Sequence, residues 1–231
     1  LESPQVSPET VAGGDKPGPY NREIAAIILA AGRSQRMGAF KPLLPFGPTT
    51  VIKSCIENIR GGGVETIVIV LGQSPQAEAL KDHLQNSRVT FAANPDSGSE
   101  MSASIACGVR GLPPGTRAVI INPVDHAAVP SEVVALLITE WRRGARLVKP
   151  TWNERGGHPV LVDLSFRDEL LTLDPQAGLK SLFIAHPERV SRVPVTSNYI
   201  ARDMDTWDDY RALHRDVFGV PPPEQNSPMS R

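Results

Sequence analysis

The chain has 231 residues, 24 Lys and Arg against 25 Asp and Glu, a formal net charge of −1 and 40% hydrophobic residues. That length can bury a core without covalent staples, and the near-neutral balance excludes a global electrostatic footprint for nucleic acid or an anionic membrane. Any anion binding is therefore local.

No apolar run approaches the roughly 18 residues of a membrane span, and the start of the chain has no signal-peptide core. Cys55 and Cys107 fall in helical segments without metal-ligand spacing, which reads as buried thiols in a reducing, cytoplasmic compartment. The Pro/Gly-rich residues 1–20 and the tail 220–231 are expected to be disordered, leaving residues 21–219 as a single domain.

In chain order, "IAAIILAA" (24–31) reads as a buried strand, "TVIKSCIENIR" (50–60) as a helix and "VETIVIVLG" (64–72) as a second strand. "SPQAEALKDHLQ" follows as a helix with Ser74 as cap and Pro75 at its first position, then "RVTFAAN" as a short strand. "SASIACGVRGL" is a helix and "RAVIINPVD" a buried strand. "PSEVVALLITEWRRG" is an amphipathic helix capped by Ser131 and stopped at Gly144, and "ARLVKP" a further strand. After Pro150 the alternation weakens. "TWNERGGHPVLVDLSFRDELL" reads as turn, short strand and helix, "AGLKSLFIAHP" as a helix, "RVSRVPV" as a strand and "TWDDYRALHRDVF" as a terminal helix.

Continuously apolar strands separated by helices predict an α/β, doubly wound, mostly parallel sheet covered on both faces, with a mixed C-terminal extension. Ligands in such folds bind beyond the carboxyl ends of the strands. This rule singles out the loops after the first strand, after Gly72, at Asn94 and around Asp125.

The first of these, "LAAGRSQRMGAFKPLLPF" (29–46), offers backbone N–H groups and three cations, Arg33, Arg36 and Lys41, to phosphate oxygens. It matches neither the P-loop nor the Gly-x-Gly-x-x-Gly fingerprint, because five residues separate Gly32 from Gly38. The failed spacing argues against a nicotinamide-dependent oxidoreductase on a Rossmann fold.

From Leu29 to Leu44 the loop resembles, without a break, the L-A-A-G-x-S-x-R-M-G-x-x-K-x-L-L signature of the MobA-like nucleotidyltransferases. The resemblance implies a Rossmann-like nucleotidyltransferase fold in which Leu29, Ala30, Ala31, Gly32, Arg33 and Lys41 meet the triphosphate of an NTP, with Gly72 and Asn94 completing the nucleotide site. Arg33, Lys41 and Asp125 are implied as catalytic. Preorganised charge at the α-phosphorus is the physical demand of such a transfer, which also needs Mg²⁺, or Mn²⁺, held by carboxylates and substrate phosphates.

Asp125, in "INPVDHAAVP", resembles the family's Pro-x-Asp-His-Pro element with Ala127 where proline is usual, and it is the first metal-ligand candidate. "YIARDMDTWDDY" resembles the late Asp-x-Asp-Thr element, making Asp205 the second candidate with Asp203 as rival; Asp208 and Asp209 are explained by the dipole of the last helix. His126 is read as shaping its loop.

"NPDSGSEMSASIACGV" resembles the family's Met-Ser-x-Ser element, so Ser102 and Ser104 are either nucleotide contacts or, for Ser102 as for Ser99, a plain N-cap; Glu100 stands where glycine is common. "GHPVL" (157–161) resembles the molybdenum cofactor cytidylyltransferase branch. It implies an acceptor site at Gly157 and His158, where His158 is either a donor to the acceptor or a satisfied structural histidine.

The reading this supports is Mg²⁺-dependent transfer of a nucleotide, favouring CTP, to a phosphate acceptor of molybdopterin type, with a molybdenum hydroxylase as recipient of the product. Guanylyl transfer to the same acceptor, transfer to a sugar or alcohol phosphate, and a non-catalytic cofactor chaperone are the alternatives.

Overall fold

The computed structural model describes residues 23–32, 36–96 and 100–223. Arg33 therefore lies outside the described residues, as do most of the ends expected to be disordered. Residues 220–223 of that tail are described, and the Val220 carbonyl accepts a hydrogen bond from His214 Nδ1 at 2.7 Å.

The strands are β1 (Ile24–Leu29), β2 (Pro45–Phe46), β3 (Thr49–Thr50), β4 (Thr66–Leu71), β5 (Thr90–Ala93), β6 (Ala118–Pro123), β7 (Leu147–Trp152), β8 (Arg155–Gly156), β9 (Val160–Asp163) and β10 (Val190–Pro194). The helices are α1 (Val51–Gly61), α2 (Pro75–His83), α3 (Met101–Arg110), α4 (Ser131–Arg142), α5 (Arg167–Leu171), α6 (Leu179–Ala185) and α7 (Trp207–Phe218).

β1 is an interior strand of the sheet, and every one of its six residues is buried. Side chains alternate across a strand, so Ile24, Ala26 and Ile28 enter one core layer and Ala25, Ile27 and Leu29 the other. The first layer is closed by α1, α2, α4 and α7, the second by α3, α5 and α6. In α1 the buried Val51, Ile52, Cys55, Ile56 and Ile59 form the single stripe that a helix of 3.6-residue period lays on a sheet. Gly108 lets α3 approach closely: a Cβ there would stand 2.7 Å from Ile27 Cγ2 and 3.0 Å from Val70 Cγ2.

The strand order is β10-β7-β9-β6-β1-β4-β5, with β8 paired to β7. β1 pairs in parallel with both β4 and β6, so the chain moves outward on one side of β1 and returns to the other. The β1/β6 boundary is thus the topological switch point, where the loops leaving the two strands diverge and open a crevice. The expected mostly parallel, doubly wound architecture is present. The mixed extension takes a particular form: β9 inserts between β6 and β7, antiparallel to each.

Three local expectations are corrected. β7 runs through Pro150 to Trp152 and returns as the β7–β8 hairpin, because Asn153 and Glu154 adopt φ of 45° and 65°, the geometry of a tight two-residue turn. Pro130, not Ser131, is the N-cap of α4, and Ser131 Oγ turns to Glu132. Ser102 is not the cap of α3, which Glu100 occupies without a side-chain bond; Ser99 lies outside the described residues. Ser74 does cap α2, accepting from Ala77 N at 3.1 Å. Of the two thiols, Cys55 is buried and Cys107 only half-buried.

Candidate active site

The switch point collects the first group of candidates. Leu29 is the last residue of β1 and its carbonyl accepts from Val124 N at 3.1 Å, while Ala30 N donates to Val70 O at 2.9 Å. These bonds tie the start of the loop to β4 on one side and to the Asp125 loop on the other. Beyond them the chain rises free of the sheet: Gly32 is exposed and has open space around its Cα, and Gly72 lies beside the Ala31 carbonyl. Asn94 continues the same edge. Its backbone N–H donates to Leu71 O at 2.8 Å and its Nδ2 to Ser104 Oγ at 2.9 Å, so Asn94 fixes the first turn of α3. Ser102 and Ser104 are both buried there.

The central feature is an ammonium shared by two carboxylates. Lys41 opens a short 3₁₀ turn, Lys41–Leu43, and is 7% exposed. Its Nζ lies 3.0 Å from Asp205 Oδ1 and 3.5 Å from Asp125 Oδ2. Arg36 Nη1 takes the other Asp205 oxygen at 2.8 Å. Asp203, the rival, is exposed and does not share this contact.

α7 delivers Asp205. Thr206, the next residue, caps α7 in a reciprocal box with Asp209. Trp207 Nε1 donates to Met37 O at 2.9 Å, the Tyr210 hydroxyl donates to Pro45 O, and Gly47 N donates to His214 Nε2 at 3.1 Å. One helix therefore grips the signature loop and the following hairpin at three levels while presenting Asp205 to Lys41.

Asp125 is placed differently. Where the related element carries proline, Ala127 is fully buried and its carbonyl accepts from both Ser54 Oγ at 2.8 Å and Asn58 Nδ2 at 2.9 Å. Two side chains of α1 thus hold the turn that a ring would otherwise stiffen. The Cys55 thiol donates to Val124 O at 3.4 Å, and burial, reinforced by the nearby Asp125 charge, pushes its pKa up, so it stays protonated. Among the described residues Asp125 Oδ1 is buried with no hydrogen-bond partner, and His126 Nε2 stands 4.0 Å from it.

His126 and His158 pack together, with ring centroids 5.0 Å apart and both Nδ1 atoms buried without partners among the described residues. Burial lowers the pKa of His126, the charges of Asp125 and Asp203 notwithstanding; burial and then His126 hold His158 down to about 3. Both rings are neutral at pH 7. Gly157 has an internal reason to be glycine: a Cβ would stand 2.1 Å from the Ile200 carbonyl oxygen, to which His158 N donates at 2.8 Å. The close approach is to the chain's own backbone, where the sequence had suggested room for an acceptor.

Reasoning from the sequence offered Arg36 to phosphate oxygens as one of three loop cations but did not foresee its ion pair with Asp205, and it gave no role to Trp207, Ser54 or Asn58. Among the described residues no group of three or more His, Cys, Asp and Glu is arranged to hold a metal ion by itself, and no helix is long and apolar enough to cross a membrane.

The MobA-like NTP transferase domain matches residues 26–190. Among curated proteins, nicotine blue oxidoreductase of Paenarthrobacter nicotinovorans is 26% identical over 200 residues, covering 82% of this chain and 96% of that protein. Molybdenum cofactor cytidylyltransferase of Escherichia coli is 24% identical over 188 residues, covering 81% and 93%. Rv0371c of Mycobacterium tuberculosis superposes with a TM-score of 0.72 at 26% identity, over 84% of this chain and 97% of that one; it has also been solved in complex with manganese, superposing with a TM-score of 0.69. With the signature loop, the switch-point crevice and the matched domain in agreement, the chain belongs to the MobA-like NTP transferase family and is an enzyme of nucleotidyltransferase type.

Proposed function

We propose that the protein transfers a nucleoside monophosphate from CTP to the phosphate of a molybdopterin-type acceptor, releasing pyrophosphate. The observation that carries the reading is the Lys41 ammonium held between Asp125 and Asp205 at the switch point. The likeness to molybdenum cofactor cytidylyltransferase over 81% of the chain supports the choice of base and acceptor.

A divalent cation fits this site. Two carboxylates reach one point, and one of them keeps a buried oxygen, Asp125 Oδ1, without a partner among the described residues. Mg²⁺ prefers one or two carboxylates completed by substrate phosphates and water, which explains why no protein-only cluster is needed. When bound, Mg²⁺ supplies charge neutralisation at the phosphate oxygens; Mn²⁺ has the same ligand preference. Asp125 and Asp205 would hold it.

The remaining work falls to the chain's own groups. The backbone of Leu29–Gly32, with Gly72 and Asn94 alongside, cradles the nucleotide, and Ser102 and Ser104 line its far side. Lys41, released from its carboxylates, turns to the phosphates with Arg33 and Arg36. An acceptor phosphate oxygen attacks the α-phosphorus, the bond to the bridging α,β oxygen breaks, and its electron pair leaves with pyrophosphate. Fixed cations lower that barrier because negative charge accumulates in the transition state. Gly157 and His158 shape the acceptor side, where neutral His158 offers a hydrogen bond. The product then loads a molybdenum hydroxylase in the cytoplasm.

Thermal shift with CTP, GTP, UTP and ATP, followed by pyrophosphate release with Mg²⁺ and molybdopterin, tests the reading. Selective stabilisation by CTP and CTP-dependent release are expected. Preference for GTP would make the enzyme a guanylyltransferase, and tight nucleotide binding without turnover on any acceptor would leave a cofactor chaperone.

A further inference from the structure

The β7–β8 hairpin stands on the crevice edge of the sheet. β6 and β7 are each antiparallel to β9, so they run parallel to one another and end on the same side. Leu161 of β9 pairs with both Ile120 and Val148, which puts Trp152, four residues past Val148, level with Val124, four past Ile120 and next to Asp125. β10 occupies one side of β7 at Thr151, so β8 takes the other and continues the column of β9 toward β6. At one and two strand spacings, Arg155 and Trp152 are therefore about 5 and about 10 Å across the sheet from the line of β6.

Trp152 packs against the small cluster of Val129, Val133 and Ile200, and so meets both the loop that carries Asp125 and the segment that delivers Asp205. Trp152 and Arg155 are register partners, so their side chains share one face. Both offer donors. The indole N–H groups of Trp141 and Trp207 bond Asp163 and the Met37 carbonyl, but that of half-buried Trp152 has no partner among the described residues. Arg155 is exposed and has no carboxylate within ion-pair distance among them. The turn that sets the two side by side holds Glu154 at a φ of 65°, a left-handed geometry that is costly for a non-glycine residue. Strain of this kind concentrates at functional sites and ligand clamps.

We propose that Trp152 and Arg155 bind the ring end of the acceptor, a fused heterocycle whose carbonyl and ring nitrogens accept from the indole N–H and the guanidinium. This rests on the reading of the protein as a transferase to a molybdopterin-type acceptor, which carries a phosphate at one end and a pterin at the other. With the phosphate at the Asp125 loop, the ring falls about 5–10 Å away, over the hairpin. Gly157 leaves no room for it, because the Ile200 carbonyl already fills the space beside that residue. The planar guanidinium also stacks on a ring face, which suits it to this ligand better than an ammonium. The pair thus selects ring-bearing acceptors over sugar or alcohol phosphates.

Free pterin, which has the ring and no phosphate, is the binding probe, followed by its own fluorescence with the full chain. Arg155→Met should weaken pterin binding about tenfold, the loss of one hydrogen bond from a charged donor, and Arg155→Lys should restore only part of it. Trp152→Phe, which keeps a ring in its cluster and loses the N–H, should weaken binding about threefold. In turnover, Arg155→Met should raise KM for molybdopterin by the same factor as it weakens pterin, with KM for CTP unchanged. A pterin affinity and a molybdopterin KM that ignore Arg155→Met would overturn the ring site, as would equal losses for pterin and CTP, the mark of a general structural fault. Pyrophosphate release by the unaltered protein is measured separately. Release with molybdopterin but no Arg155-dependent pterin binding removes the ring site alone, and Arg155-dependent pterin binding with no release on any acceptor removes the transferase reading alone.

Discussion

Replacing Lys41 by Met separates an ammonium that only binds from one that also holds two carboxylates in place. In the ligand-free protein the Lys41 side chain is 9% exposed, Asp125 23% and Asp205 41%, so the triad lies between a surface pair and a buried one. Breaking a fully buried pair costs about 3–5 kcal/mol and an exposed one about 0–1 kcal/mol. Arg36 stays on Asp205, so the loss at Lys41 falls near about 1–2 kcal/mol, or about 2–8 °C in Tm for a chain of this size. The sign then reverses with a divalent cation. Wild type must displace its own ammonium to bind one, whereas Lys41→Met leaves Asp125 without its ammonium and Asp205 with Arg36 alone. Mg²⁺ at ten times its Kd stabilises by about 1.4 kcal/mol, and the variant should reach that at lower concentration. Thermal unfolding in EDTA and across a Mg²⁺ series measures both halves. Equal stability in EDTA, or identical Mg²⁺ shifts, would refute the shared-ammonium account. Turnover of the variant should fall by about 10²–10³, with a smaller change in nucleotide affinity.

Asp125→Asn, nearly isosteric at a site whose Oδ1 has no partner, should keep the fold and lose Mg²⁺-dependent pyrophosphate release; retained activity would remove Asp125 from the metal site. Gly157→Ala should destabilise by about 1–3 kcal/mol, because its Cβ meets a backbone oxygen that cannot swing aside, and an unchanged Tm would mean that Ile200 moves freely. Asp163 governs acid stability. Burial alone would raise its carboxyl pKa, but hydrogen bonds from Ser165, Trp141 and Arg146 bring it below the ordinary value. A depressed folded pKa gives stability that is present above the unfolded value, near about pH 4, and lost as pH falls through the folded one. Asp163→Asn should therefore be less stable than wild type at pH 7 and converge with it in acid, as urea unfolding at each pH would report.

The alternation of apolar strands and amphipathic helices was readable because burial on both faces writes itself into composition: β1, β4 and β6 are apolar at nearly every position. β9 was harder to place. Four apolar residues after Gly157 and His158 announce a strand, but only the packed sheet reveals that it slots antiparallel between β6 and β7. The same limit applies to the site. Lys41, Asp125 and Asp205 were identifiable one by one through spacing and resemblance, while their meeting at a single ammonium depends on α7 docking through Trp207, Tyr210 and His214. Those contacts end on backbone carbonyls and an amide, which leave no trace in side-chain pattern. The grip of Ser54 and Asn58 on the Ala127 carbonyl was invisible for the same reason.

The docking of α7 also orders events in time. During synthesis the signature loop emerges early and Asp205 some 164 residues after Lys41. Until α7 has folded onto Met37, Pro45 and Gly47, the nascent chain carries the signature loop with neither its clamp nor Asp205. On the proposed mechanism the enzyme gains activity only after its last helix docks, and proteolytic loss of that helix is expected to switch it off while sparing most of the sheet.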